Sequence, residues 1–285
     1  MHLRTLRALR RSMASITGLI LTAAFMIMAL SAPLICPPNL PDPYQLKKDM
    51  FNPLAPPGTP GHPLGTDSQG SDILYGMIWG SRLSISISVR VVAISVVVGV
   101  LVGLLSGYVG GVMDVVMMSL TDVVMAIPPY ILAMAILAAF GANVTNLTVT
   151  LMVVFWPRFA RMVRSQVLAV RELGYVDAAR TVGMSTWRVV FKHVLPNVLA
   201  PVFVQATLGI GSIVLWTAGL SFIGLAPPDL AEWGNMVSLG RKDILGGSWW
   251  PSVFPGLMIF LFVLGVNLVG DGLRDVLDPK RRGRR

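Results

Sequence analysis

The chain has 285 residues, 54% of them hydrophobic and 13% charged, with a net charge of +9 and a mean hydropathy of +0.70. So apolar a balance excludes an ordinary soluble domain and requires lipid as part of the solvent. The basic residues gather at the chain ends and in one loop, which is the pattern of a positive-inside membrane topology and not of a nucleic-acid surface. The single cysteine, Cys36, excludes an intramolecular disulfide.

Residues 1–12 carry Arg4, Arg7, Arg10 and Arg11 and no acid. The apolar run 16–36 that follows has about the 20 residues needed to cross a hydrocarbon core. Ala29 and Ser31 offer a weak small-x-small cleavage site, but the run is longer than a signal core, so an uncleaved first span is expected. Residues 37–72 hold nine prolines, with Asp42, Asp49, Asp67 and Asp72. That density excludes a long helix and predicts an extracytoplasmic loop. His62, Asp67 and Asp72 match no metal-ligand spacing; turns held by Asp side chains are expected there.

Residues 73–89 are mixed and are expected to lie along the membrane surface ahead of a span over 91–108, with Arg90 snorkelling at the junction. Gly99, Gly103 and Gly107 recur every fourth residue, a smooth stripe for close approach of another helix. The run 112–140 is interrupted by Pro128 and Pro129, which predict a kink. Asp122 has two readings: a gate or pathway carboxylate at membrane depth, or an interfacial acid paired with an Arg of the basic loop. After a turn at Gly141, Ala142 and Asn143 comes a span over 144–159. Between Pro157 and Pro196, seven Arg or Lys face only Glu172 and Asp177, so this side is expected to be cytoplasmic.

Within that side, 171–197 reads as helix, Gly183 break, helix. Ser185 and Thr186 can cap the second helix, whose stripe is Trp187, Val190, Phe191 and Val194; Pro196 is expected to end it. The next span, 198–225, contains Gln205, Thr207, Gly209, Gly211, Ser212 and Thr217, polar and small residues that mark helix contact or a wet path. Residues 227–251, with Glu232, Trp233, Trp249 and Trp250, read as an extracytoplasmic hairpin anchored by interfacial tryptophans. A last span, 252–269, precedes a basic tail. The sum is an all-α, six-span membrane protein with both termini inside, divided into residues 1–72 and a core of residues 73–285.

No GxxxxGK[ST] phosphate loop is present, so energy must come from a partner, and no HExxH or GxSxG motif is present either. An intramembrane protease would need a paired catalytic group, and Asp271 has no convincing mate. An ion-coupled secondary transporter would need inverted repeats and intramembrane ion ligands, for which only Asp122 and Asp271 offer themselves. No metal or cofactor site is expected on this chain.

Asp177-Ala178-Ala179, then Gly183, then Leu195-Pro196 resemble the EAA signature of ABC importer permeases, with Asp177 for the usual Glu and His193 for the usual Ile. The stretch from His62 to Asp72 resembles the HPLGTDxxGRD sequence of the dipeptide, oligopeptide and nickel branch, with Ser71 for its Arg. The segment 107–114, the SFIGL run 221–225 and the closing NLVGDGLRDVLDP are similar to the same branch. The resemblance implies a type I ABC importer permease fold and a heteromeric complex with a second permease, two ATPases carrying ATP and Mg, and an extracytoplasmic solute-binding protein. It further implies that 171–197 couples to the ATPase: Asp177 pairs with a basic group there, Ala178 and Ala179 permit close approach, Gly183 supplies the turn, and Leu195 and Pro196 close the motif. Gln205 becomes a pore-lining candidate, and the substrate class becomes peptides or nickel.

Overall fold

The computed structural model describes residues 12–38, 40–225 and 230–277; Arg4, Arg7, Arg10, Arg11, Pro227 and the closing segment from Asp278 onward lie outside them. The described residues form α1 (Met13–Ile35), α2 (Ile73–Leu104), α3 (Gly111–Ala126), α4 (Pro129–Phe140), α5 (Val144–Arg171), α6 (Gly174–Thr181), α7 (Thr186–Val189), α8 (Leu195–Phe222), α9 (Trp233–Gly240) and α10 (Trp250–Leu277). Two π-helical turns, Leu105–Val109 and Val190–Val194, continue α2 and join α7 to α8. No strand occurs among the described residues.

Four segments are long and apolar enough to cross a membrane: Met13–Ile35, Ile73–Val109, Thr186–Phe222 and Trp250–Leu277. The α3 and α4 pair makes a fifth, broken by 85° where Pro128 and Pro129 interrupt the amide ladder. Helix α5 also has 28 residues. Its first half is apolar, but Arg158, Arg161, Arg164 and Arg171 make its second half basic, so by composition it is not a uniform span.

Residues 73–89 do not lie along a membrane surface as a separate element; they are the first half of α2. Asp72 caps that helix by accepting the Tyr75 amide at 2.7 Å. Ser81, Ser84 and Ser88, which make the segment look mixed, are buried, and Ser81 and Ser88 return their hydroxyls to the carbonyls of Ile78 and Ile85. With its π turn α2 spans 37 residues, about 55 Å, against a hydrocarbon core of about 30 Å. The excess is wrapped by loops. Tyr75 donates to the Pro43 carbonyl, Trp79 to the Cys36 carbonyl and Trp233 to the Met77 carbonyl. Arg90 is therefore inside α2 and not at its start; its guanidinium, exposed, donates to the Ser86 carbonyl and hydroxyl at 3.0 Å.

The Pro-rich segment 37–72 is held by its acids. Asp67 accepts the amides of Ser71 and Gln69. The His62 ring lies 2.7 Å from Asp72 and 3.4 Å from Asp49, and these carboxylates hold its pKa above the ordinary histidine value. The segment also joins the distant loop before α9, where the Ala231 amide donates to the Tyr44 carbonyl at 2.7 Å, and Trp250 donates to the Thr66 carbonyl.

The anchoring role expected of Trp233 is corrected by its position. It is fully buried, with its ring edge-on to Phe25 at 5.6 Å and to Phe262 at 5.8 Å. Burial follows from the neighbouring Glu232, itself buried, which caps α9 by accepting the Asn235 amide at 2.8 Å and takes hydrogen bonds from Ser221 and Ser84. One carboxylate thus joins α2, α8 and α9. Trp249 remains half exposed.

Candidate coupling site

The basic half of α5 ends at Arg171, and after a turn at Glu172 the chain doubles into α6. Helix α6 stops at Gly183, whose φ of +80° is reached at low cost only without a Cβ. The Met184 amide returns to the Ala179 carbonyl at 3.2 Å and the Gly183 amide to the Arg180 carbonyl at 2.9 Å. That pair of bonds is a Schellman close, which satisfies the last carbonyls of α6 while reversing the chain. Ser185 occupies the N-cap position of α7, though its hydroxyl makes no cap bond.

Pro196 does not end the second helix. The backbone passes through the π turn Val190–Val194 directly into α8, with Pro196 in its first turn. Wider i to i+5 pairing in the π turn accommodates a residue that has no amide to give. Asn197 adds a side-chain bond to the His193 carbonyl at 2.6 Å. Leu195 packs against the core beneath, and Pro196 is exposed.

The expected stripe of Trp187, Val190, Phe191 and Val194 divides between two faces. Val190 and Val194 turn inward with Val176, Ala179 and Val189, packing on Leu104, Val163, Val167, Val170, Val198 and Val202. Trp187 and Phe191 turn outward, 64% and 58% exposed, with rings stacked at 6.0 Å and 24°. Val182, in the turn before Gly183, is 82% exposed. The split arises because the π turn shifts the register of side chains between the two ends of the stripe. The loop is thus anchored through valines and leaves its large apolar groups exposed.

Of the residues expected to couple, Asp177 is exposed and lies 3.3 Å from Arg180 of its own helix. Arg180 in turn reaches the Tyr108 hydroxyl at 3.4 Å and lies over the Tyr108 ring at 5.3 Å. Ala178 is exposed, whereas Ala179 is buried against its own chain, so close approach by a partner is open at Ala178 and not at Ala179. Tyr175 accepts a bond from Asn197 and lies 6.2 Å from the His193 ring, which occupies partly buried space.

The pathway candidates are apart. Asp122 of α3 forms an ion pair with Arg161 of α5, both about half exposed. Gln205 lies exposed on α8, and Asp271 is exposed near the end of α10. The glycine stripe faces α5. A Cβ at Gly103 would lie 2.6 Å from the Ala160 carbonyl and from Val163, and one at Gly107 would lie 2.9 Å from Val167; at Gly99 it would collide with Phe159. Only hydrogen at these three positions lets α2 and α5 touch backbone to backbone.

Two features escape a reading of the sequence. Glu232 could be suspected only from its place before a possible helix start. The bidentate pair of Arg164 with Asp114, at 2.6 and 2.7 Å, joins residues fifty positions apart, and nothing local announces it. Among the described residues no group of His, Cys, Asp and Glu is arranged to hold a metal ion.

Relatives support the architecture. The dipeptide transport system permease protein DppC of Escherichia coli (strain K12) is 41% identical over 95% of this chain and 90% of its own length. The protein of the same name from Alkalihalophilus pseudofirmus is 38% identical over 97% of this chain and 89% of its own length. Among solved structures, the MetNI methionine ABC transporter in an inward-facing conformation superposes with a TM-score of 0.58 at 19% identity, covering 72% of this chain and 97% of that one. That similarity establishes a shared fold, the ABC importer permease fold. Residues 99–283 match the family described as binding-protein-dependent transport system inner membrane component. With that match covering the broken helix, the capped loop and the last two spans, the chain belongs to the family of inner membrane components of binding-protein-dependent transport systems.

Proposed function

We propose that this chain is one of two permease subunits of an ATP-driven importer of dipeptides or short oligopeptides, and that 171–197 is its contact with a cytoplasmic ATPase. The dipeptide permeases to which it is similar favour peptides over nickel. ATP and Mg then reside on two ATPase subunits, while a second homologous permease completes the translocation path and an extracytoplasmic solute-binding protein delivers the peptide. Both termini and the loop face the cytoplasm, the side to which the basic excess points.

The observation that carries this reading is the stacked Trp187 and Phe191 pair, exposed on a loop whose opposite face is fixed in the chain's own core. Large aromatic groups presented by a rigid support are what a docking contact uses, because little conformational entropy remains to be lost. The exposed carboxylate of Asp177, 3.3 Å from Arg180 of its own helix, offers a charge for a basic group on the partner. The chain's own part in transport is mechanical: it binds, transmits and opens, and performs no bond chemistry.

Reconstitution of the four-subunit membrane complex with its binding protein tests the proposal. ATP-dependent uptake of a labelled dipeptide is expected, with loss of uptake when Trp187→Ala and Phe191→Ala are combined and the chain still inserts. Uptake by this chain alone, driven by an ion gradient without ATPases, would refute it.

A further inference from the structure

Two of the apolar clusters follow one another along α2, α5 and α8. The outer one contains Val91, Val92, Leu137, Leu147, Leu151, Phe155, Ile213 and Leu220; the inner one is the valine cluster under the coupling loop. Helix α4 belongs to the outer body: Tyr130 stacks on Trp216 at 4.0 Å, and Ala133 and Leu137 are buried there. Helix α3 has almost no apolar hold. Thr121 is its only buried residue, and Val112, Val115, Val116, Leu120 and Val123 are exposed.

What fixes α3 is charge. Arg164 grips Asp114 through two parallel bonds, the Ser106 hydroxyl donates to the same carboxylate, and Arg161 pairs with Asp122. The π turn that supplies Ser106 is also the turn that the coupling loop holds. Arg171 donates to the Gly107 carbonyl at 2.8 Å, and Arg180 covers Tyr108. Loop, π turn, inner half of α5 and α3 are therefore bonded to one another, while α4 is bonded elsewhere. Between the two lies the 85° break at Ile127 and Pro128.

We propose that Arg164 and Asp114 are positioning residues that make α3 travel with the coupling loop, so that motion of the ATPases is delivered to the break before α4. The proposal rests on the coupling role assigned above to 171–197. The two-state element is the α3 to α4 angle, biased from the loop through one bidentate ion pair.

Spin labels placed in the complete importer on a Cys36→Ser background test it, at Val116→Cys with Ser165→Cys (α3 to α5) and at Val116→Cys with Ile131→Cys (α3 to α4). Between the nucleotide-free and the ATP–vanadate-trapped states, the first distance is expected to stay fixed and the second to shift. With Asp114→Asn, the first distance should broaden, and stimulation of ATP hydrolysis by the binding protein should fall roughly tenfold. The exchange of Asp114→Arg with Arg164→Asp should restore both. A nucleotide-dependent first distance, a fixed second one, or Asp114→Asn behaving as the natural protein would each overturn the relay. If Asp114→Asn does not assemble, the two distances in the natural sequence decide alone. A label at Ser185→Cys, an exposed loop position whose side chain makes no cap bond, separates the two claims: its response to nucleotide with no change at the break sinks only the relay, and no response there sinks the coupling role as well.

Discussion

The outer and inner halves of the core are built from different materials. The outer cluster interlocks Phe155, Phe159, Leu147, Leu151, Ile213 and Leu220, flanked by Tyr130 and Trp216, and the adjoining cluster adds Phe25, Trp233 and Phe262. The inner cluster is nine valines with Leu104 and Ala179, with no aromatic ring among its buried residues and Tyr108 packed at its edge. Large interdigitated groups resist sliding and make a scaffold. Valines in helices hold a single dominant rotamer and pack as a smooth, stiff surface, so the inner half behaves as one body steadied by ion pairs and caps. The difference teaches that stability is concentrated outward, around the wrapped end of α2, and that the part expected to face a motor is lightly but rigidly built.

The sharpest way to break this comparison is to truncate a fully buried side chain to alanine in each half and compare the loss per carbon removed, three at Leu151 and two at Val167. Leu151→Ala, at a fully buried outer position, should cost about 2 to 5 kcal/mol. Val167→Ala, equally buried in the inner half, should cost about 1.5 kcal/mol at roughly 0.8 per buried methyl group. Thermal unfolding in detergent ranks them, and a larger loss per carbon for Val167→Ala would invert the account. Next in size is the seam between α2 and α5. Gly103→Val forces a side chain against the Ala160 carbonyl and Val163, with an expected cost of about 1 to 3 kcal/mol, read in the same assay.

Smaller still, Gly183→Ala places a Cβ at a φ of +80°, which costs about 1 to 2 kcal/mol. Nothing surrounds that Cβ, so the chain should insert normally while ATPase binding weakens through the altered turn, measured by co-purification. The smallest effect belongs to His62. Its pKa is raised by the hydrogen bond to Asp72 and the lesser one to Asp49, so the stabilisation is fully present below the unfolded value near about 6.5 and is lost as pH rises through the raised folded value. His62→Gln should therefore destabilise the protein at pH 6 by less than about 1 kcal/mol and make little difference at pH 9. Equal losses at both pH values would remove the charge from the explanation.

How much of this was legible in the sequence depends on the range of the interaction that decided each element. Proline density, the double proline before α4, the glycine stripe and the Gly183 turn are local constraints on φ or on van der Waals radius, and each can be read from a few neighbouring residues. The first half of α2 was misread because Ser81, Ser84 and Ser88 look like a surface until loops from both sides are known to cover them. Trp233 was assigned to an interface for the same reason: its burial is imposed by Glu232 reaching Ser84 and Ser221, contacts that no window of sequence contains. Pro196 was read as a helix end because a π turn, which absorbs it, leaves no trace in residue pattern. In the coupling loop the fourfold stripe looked like one face, and only the register shift at Val190–Val194 divides it into an anchor and an exposed pair.

The central claim is that the inward-facing loop offers its outer surface to a soluble motor while its inner surface stays bonded to the chain. Labelling of Ser185→Cys, exposed on the same loop, in a Cys36→Ser background, by a membrane-impermeant maleimide measures this most directly. The account predicts modification only from the cytoplasmic side of sealed vesicles, and protection once the ATPases are bound. Modification from the opposite side, or labelling from the cytoplasmic side that is unchanged by bound ATPases, would contradict it.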